Sequence, residues 1–166
     1  MLKSKRLILL VLAALTVLCA TLIIFFSSQP ASSSAKQSSA ITKLILRVTI
    51  PHFDTLVEKD QKALIKQYDP YVRKAAHVTE FCLFGLFLCL FLGVLEVKRF
   101  HLFSLCGGVL LATIDECRQL FSAGRGPRAT DILIDSTGVA LGILIAVLIL
   151  RIITKKGHIS AEKEPV

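Results

Sequence analysis

Charge is scarce in this chain. Only 19% of its 166 residues are Asp, Glu, Lys or Arg, against 54% hydrophobic residues, and the mean hydropathy is +0.68. A soluble domain so composed would expose large apolar patches, which argues against a soluble nucleotide-binding fold. The apolar content also excludes a disordered chain. There is no C-x-x-C pair. The five cysteines (Cys19, Cys82, Cys89, Cys106, Cys117) are odd in number and fall within long apolar runs. That excludes a secreted disulfide scaffold, argues against a cysteine zinc site, and makes them small apolar fillers. The alternating ten-residue strands of a membrane barrel are missing, as is any internal repeat. So are G-x-S-x-G, a Walker-type glycine loop and H-E-x-x-H. The net charge of +8, from 20 basic against 12 acidic residues, suggests nucleic acid. These basic residues flank apolar runs, however, and no nucleic-acid partner is expected.

What is present is a set of long apolar runs. Leu7 to Phe26 is uncharged for 20 residues, which at 1.5 Å per residue covers roughly 30 Å of hydrocarbon. A cleaved signal peptide competes with this reading, since Lys3, Lys5 and Arg6 precede the run and small residues follow at Ala31 to Ala35. The run nevertheless exceeds the roughly 7–15 residues of a signal-peptide core, which favours a retained anchor. Further spans are read at 75–95, 100–121 and 131–153. Only helices or closed barrels satisfy the backbone in lipid. The fold class is therefore all-α: a polytopic membrane bundle of four transmembrane helices. A single membrane domain covers 1–153, with an outer loop at 27–74 and a cytoplasmic tail at 154–166.

A raw count of basic residues does not orient these spans, because nine lie on one side and ten on the other, with Arg118 inside a span. The basic flank of the first span places both termini in the cytoplasm, with the spans in the cytoplasmic membrane. The outer loop opens with a Ser-rich segment, Ser27 to Ser39, flexible by composition. Ile41, Leu44, Ile45 and Val48 follow at helical spacing until Pro51, and Phe53 to Tyr68 forms a second mixed segment. Both read as short amphipathic helices lying on the outer leaflet, with membrane lipids as partners.

The polar residues collect at the outer helix ends. Arg73, His77 and Glu80 share one helix face, with Lys74 beside them. Asp115, Glu116 and Gln119 close the third span, Arg125 and Arg128 lie in the short loop after it, and Asp131 and Asp135 open the fourth. Gln29 marks the exit of the first. Gly138 and Gly142 continue the Asp131–Asp135 stripe as G-x-x-x-G, a helix-packing element. Charges within spans are costly, so these residues are read either as ion pairs fixing the bundle or as an outer pocket. In the pocket reading, His77, Glu80, Asp115 and Glu116 are candidates for acid/base or ligating roles. Gln29, Arg73, Lys74, Gln119, Arg125, Arg128, Asp131 and Asp135 are candidates for ligand binding, the arginines suiting phosphate or carboxylate. With no second His nearby in sequence, no metal or cofactor is expected.

These fragments in this order resemble the VanZ-like family of small bacterial membrane proteins over most of Leu7 to Leu150. The carriers are S-S-Q-P (Ser27 to Pro30), R-K-x-x-H-x-x-E (Arg73 to Glu80), D-E-x-x-Q (Asp115 to Gln119), G-R (Gly124, Arg125) and D-x-x-x-D-x-x-G-x-x-x-G (Asp131 to Gly142). The chain departs from the family pattern at Phe81, where Tyr is usual, and at Asp135, where Asn is usual. The resemblance implies an envelope protein connected with resistance to the glycopeptide teicoplanin, and does not supply a reaction. The leading expectation is a non-enzymatic protein whose outer pocket binds an anionic lipid-linked cell-wall precursor or a glycopeptide. A membrane-embedded enzyme built on His77 with Glu80, Asp115 or Glu116 is the competing class. A transporter is third, and would require a homo-oligomer to form a path.

Overall fold

The computed structural model describes residues 2–119 and 129–161, in five α-helices and one 3-10 turn. They are α1 (Leu2–Ser27), α2 (Ala31–Thr49), the turn Phe53–Thr55, α3 (Glu58–Val94), α4 (Phe100–Gln119) and α5 (Ala129–Ala161). Four helices, all but α2, are long and apolar enough to cross a membrane. Their surfaces carry exposed Leu, Ile, Val and Phe side chains all around, such as Leu10, Leu110, Leu133 and Ile153. In water that surface would be untenable; facing lipid it is the expected one. The chain is a multi-pass membrane protein.

Two elements differ from the sequence reading. The Ser-rich segment expected to be flexible is helical from Ala31 onward. Pro30 stands at its N-cap, and its carbonyl accepts the amides of Ser33 and Ser34. The hydroxyls do not compete with this helix because they are absorbed locally, as where Thr42 donates to the Ser38 carbonyl at 2.9 Å. The second mixed segment is not a separate short helix either. Phe53–Thr55 is a 3-10 turn, and from Glu58 onward the segment is the first part of α3, which runs for 37 residues through Pro70. Proline removes one backbone donor and favours a break. The turn around it is held instead by side chains: Arg73 donates to Asp69 at 2.9 Å, and Thr42 and Ser39 of α2 approach the same carboxylate at 3.3 and 3.5 Å. At 1.5 Å per residue α3 is about 55 Å long, so it must extend well beyond a hydrocarbon core of roughly 30 Å. At the other end of the chain, α5 continues to Ala161 without a break at 154.

α2 is amphipathic in an inverted sense. Ser38, Thr42 and Leu46 face the bundle and are buried, whereas Ile41, Leu44, Ile45 and Val48 are exposed, Val48 at 83%. Small polar residues let α2 lie close to α3, and its apolar stripe is left facing outward.

The core is formed by Ile23 of α1, Phe81 and Phe84 of α3, Leu111 and Ala112 of α4, and Val139 of α5. α1 is part of this packing, and its Lys5 meets Glu96 in the α3–α4 turn at 2.6 Å. That hydrogen bond, with the ammonium charge behind it, holds the Glu96 carboxyl below its ordinary range. α3 packs most extensively on α5. The contact is made by glycines. A Cβ on Gly138 would lie 2.5 Å from the Val78 carbonyl oxygen, and one on Gly142 would strike the Cys82 carbonyl and come 2.7 Å from the Leu86 amide. From the opposite side, a Cβ on Gly85 would lie 2.6 Å from the Val139 carbonyl oxygen. These partners are backbone atoms, which cannot rotate away.

Gly142→Leu should therefore separate α3 from α5 and destabilise the bundle by at least the ~1–3 kcal/mol typical of overpacking. Leu148→Ala, at a site about half exposed to lipid, should be nearly neutral. Thermal denaturation of both variants in detergent is the check; equal stability of the two would show that the glycine face does not pack.

Candidate functional site

Three helices deliver ionisable side chains to one place. α4 turns a single face inward: Ser104, Gly108, Leu111, Ala112, Asp115, Glu116 and Gln119 are all buried, at spacings of three and four. Near its end that stripe changes from apolar to acidic, so Asp115 and Glu116 enter the bundle at 0% and 2% exposure. Asp135 lies on the glycine face of α5, one turn before Gly138, and is 2% exposed. His77 precedes Val78, the residue on which Gly138 rests. The same contact that joins α3 to α5 thus brings His77 Nδ1 within 4.0 Å of Asp135 Oδ1. Asp115 completes a trio whose ligating atoms all lie within 4.8 Å of one another. Gln119 donates to the second Asp115 oxygen at 3.3 Å and orients that carboxylate.

The trio is embedded in further negative charge. Asp135 lies within electrostatic reach of Asp115, Asp131, Glu116 and Glu80. Like charges in a medium of low dielectric repel strongly, so such a grouping is stabilised by a cation. A protonated His77, a basic side chain or a metal ion each meets that need. Mixed imidazole and carboxylate donors suit Zn²⁺ or Mn²⁺. At a metal–ligand distance of about 2.0–2.2 Å, donor atoms would sit closer together than these, so side-chain closure by a fraction of an ångström each would be required.

A cleft of about 190 Å³ opens beside the trio, between the end of α1, α2 and α3. Phe26, Ile41, Val72 and Ala76 make its apolar wall, and Ser34, Gln37, Ser38, Arg73, His77 and Glu80 its polar one. His77 belongs to both the cleft and the trio. Arg73 is positioned there by Asp69 at 2.9 Å and by the Ser38 hydroxyl at 3.1 Å, which fixes the guanidinium in the wall.

The sequence-derived candidates separate into groups. Arg73, His77 and Glu80 line the cleft, and Asp115, Glu116, Gln119 and Asp135 are buried behind it. Asp131 is half-buried and near Asp135. Gln29 does not line the cleft itself: its side-chain Oε1 accepts from the Ser33 hydroxyl at 3.0 Å and from the cleft-wall residue Gln37 at 3.2 Å, tying the α1–α2 connection to α2. Lys74 is exposed and does not line the cleft. Gly138 and Gly142 lie against α3. Arg125 and Arg128 fall outside the described residues. Sequence reasoning missed the contribution of α2, since Ser34, Gln37 and Ser38 sit in a stretch read as flexible. It also missed Asp69, although the Asp69–Arg73 spacing of four on a helix was an available signal.

No curated protein and no solved structure matches the chain. The family model described as VanZ/LLP1 matches residues 11–151, which take in the cleft, the trio and most or all of each of the four membrane helices. With most of its length so matched, the chain belongs to the VanZ/LLP1 family.

Proposed function

We propose that this protein binds the anionic headgroup of an envelope amphiphile, a lipid-linked cell-wall precursor, in the cleft between α1, α2 and α3. The observation that carries this reading is the division of the cleft into an apolar wall and a polar wall that holds a fixed guanidinium, Arg73. Arginine forks onto the paired oxygens of phosphate, and the apolar wall suits the first methylenes of a lipid tail. The exposed stripe of α2 (Ile41, Leu44, Ile45, Val48) suits a helix lying at the membrane surface, from which a lipid would enter laterally. Size favours the first of the two expected ligands. At about 190 Å³ the cleft is smaller than the roughly 300–1,000 Å³ of drug-sized sites. It fits a headgroup fragment better than a whole glycopeptide. Arg125 and Arg128 belong to the proposal as further anion contacts, and any effect on teicoplanin resistance would follow from handling the precursor.

Arg73→Gln should weaken retention of a lipid pyrophosphate precursor about tenfold or more, given roughly 1.5–3 kcal/mol for a hydrogen bond to a charged group. Lys74→Gln, at an exposed neighbour outside the cleft, should have little effect. Native mass spectrometry of the purified protein with the precursor measures both. Equal loss in the two variants, or none in either, contradicts the assignment.

A second reading is favoured by one observation, the His77–Asp115–Asp135 trio. A divalent cation held there would activate water or polarise a phosphoryl oxygen beside the cleft, making the protein a membrane-embedded hydrolase. Under this reading, purified protein equilibrated with Zn²⁺ or Mn²⁺ and then desalted retains one ion per chain, and Asp135→Asn retains much less. Metal content at background in the wild type removes the reading.

The orientation belongs to the proposal too: N- and C-termini in the cytoplasm, the cleft at the outer face of the cytoplasmic membrane. It rests on the basic start of α1 at Lys3, Lys5 and Arg6. Reporter fusions at Lys98 and Glu162 should read cytoplasmic and one at Ser34 external; an external signal at Glu162 reverses the assignment.

A further inference from the structure

At the far end of the bundle from the cleft, α5 forms one wall of a groove of about 990 Å³. Glu80 of the cleft and Gly93 of the groove are both on α3, and thirteen residues of helix separate them by about 20 Å. The two sites therefore lie toward opposite ends of the membrane helices. Ile143, Leu144 and Val147 line the groove along α5, followed on the same side by Arg151 and Lys155, four apart on the helix. His101, from the first turn of α4, stands across from them. Among the described residues, no carboxylate lines the groove. Arg151, Lys155 and His101 are all exposed, and no ion pair is seen for them among the described residues. Gly93 shapes the floor, because its missing side chain lets the Leu150 methyl reach across to α3.

We infer that this groove is a binding site for an anionic phospholipid of the leaflet adjoining the chain termini. Its chemistry runs in the order a phospholipid presents: apolar toward the membrane interior, cationic where the headgroup phosphate sits. Charge complementarity selects the anionic class, since paired cations at a helix end attract anionic lipid and a zwitterionic headgroup supplies no net charge to match. The apolar stripe selects a lipid over a free phosphate, because acyl chains cover Ile143, Leu144 and Val147 while an ion leaves them bare. This site is independent of the outer cleft and of any ligand bound there.

The test uses the full-length protein in detergent, with phosphatidylglycerol and phosphatidylcholine as competing probes, read by native mass spectrometry. The wild type should retain phosphatidylglycerol over phosphatidylcholine by about tenfold or more. Arg151→Gln/Lys155→Gln should reduce the preference to near unity, whereas Lys3→Gln/Arg6→Gln, which removes the same charge from the same end but outside the groove, should keep it. Circular dichroism and melting temperature confirm that both variants fold. Equal retention of the two lipids by the wild type overturns the inference. So does a preference that survives the Arg151/Lys155 change or vanishes equally with the Lys3/Arg6 change. Displacement of the lipid by millimolar inorganic phosphate would mean a phosphate site instead. A wild-type dimer that the Arg151/Lys155 variant converts to monomer would mean that a second copy fills the groove, and would likewise overturn it.

Discussion

The backbone contact between α3 and α5 fixes the rest of the structure. Two helices normally pack with their axes about 8–10 Å apart, held there by side chains. Gly138 and Gly142 remove the side chains on one of them, and the Val78 and Cys82 carbonyls occupy the space. In lipid, where burial of apolar surface gives no advantage over contact with acyl chains, such close van der Waals approach is a principal source of helix association. It also sets register. A slide of one residue would bring a Cβ against a carbonyl, so the contact holds His77 and Asp135, each within a turn of it, facing each other. The polar site is built on that register.

The second constraint is the cost of charge in a membrane. Asp115, Glu116 and Asp135 are almost completely buried, although each ionised group in mid-membrane is unfavourable by roughly 2.5–3.5 kcal/mol on insertion scales. Bundle ends reduce that cost because water and headgroups are near. Grouping the acids around a histidine reduces it further, provided a cation or a shared proton offsets the repulsion. The same economy explains α2. Its Ser38 and Thr42 reach Arg73 and Asp69, so the polar part of α3 beyond the hydrocarbon has partners inside the protein. The apolar stripe of α2 is turned outward in consequence.

The membrane spans were legible in the sequence because a run of 20 uncharged apolar residues has few other structural meanings, and the all-helical class followed from the need to satisfy the backbone. The limits of α3 were not. The charged stretch from Glu58 to Lys66 read as a separate amphipathic helix ending at Tyr68, and contacts to Asp69 and Arg73 accompany the helix through Pro70. The Ser-rich start of α2 was misread for a related reason: serine disfavours helix when its hydroxyl competes for the backbone, and that competition is decided by neighbours. For the candidate site, helix periodicity placed Arg73, His77 and Glu80 on one face, which the cleft uses. Periodicity within one helix cannot say which residues of another helix it meets. The approach of His77 to Asp135 depends on the α3–α5 register, and Lys74, one residue from Arg73, lies outside the cleft because of a 100° rotation along the helix.

The central claim is that the glycine contact holds His77 against Asp135 at the polar end of the bundle. Solid-state NMR in lipid bilayers can measure that separation directly, with ¹⁵N in the imidazole and ¹³C in the aspartate carboxyls, and Asp135→Asn identifying the signal. The account predicts dipolar coupling corresponding to about the 4.0 Å seen between His77 Nδ1 and the Asp135 carboxylate, and its loss in Gly142→Leu. A wild-type separation beyond about 6 Å, outside the range of direct charge partners, would contradict it.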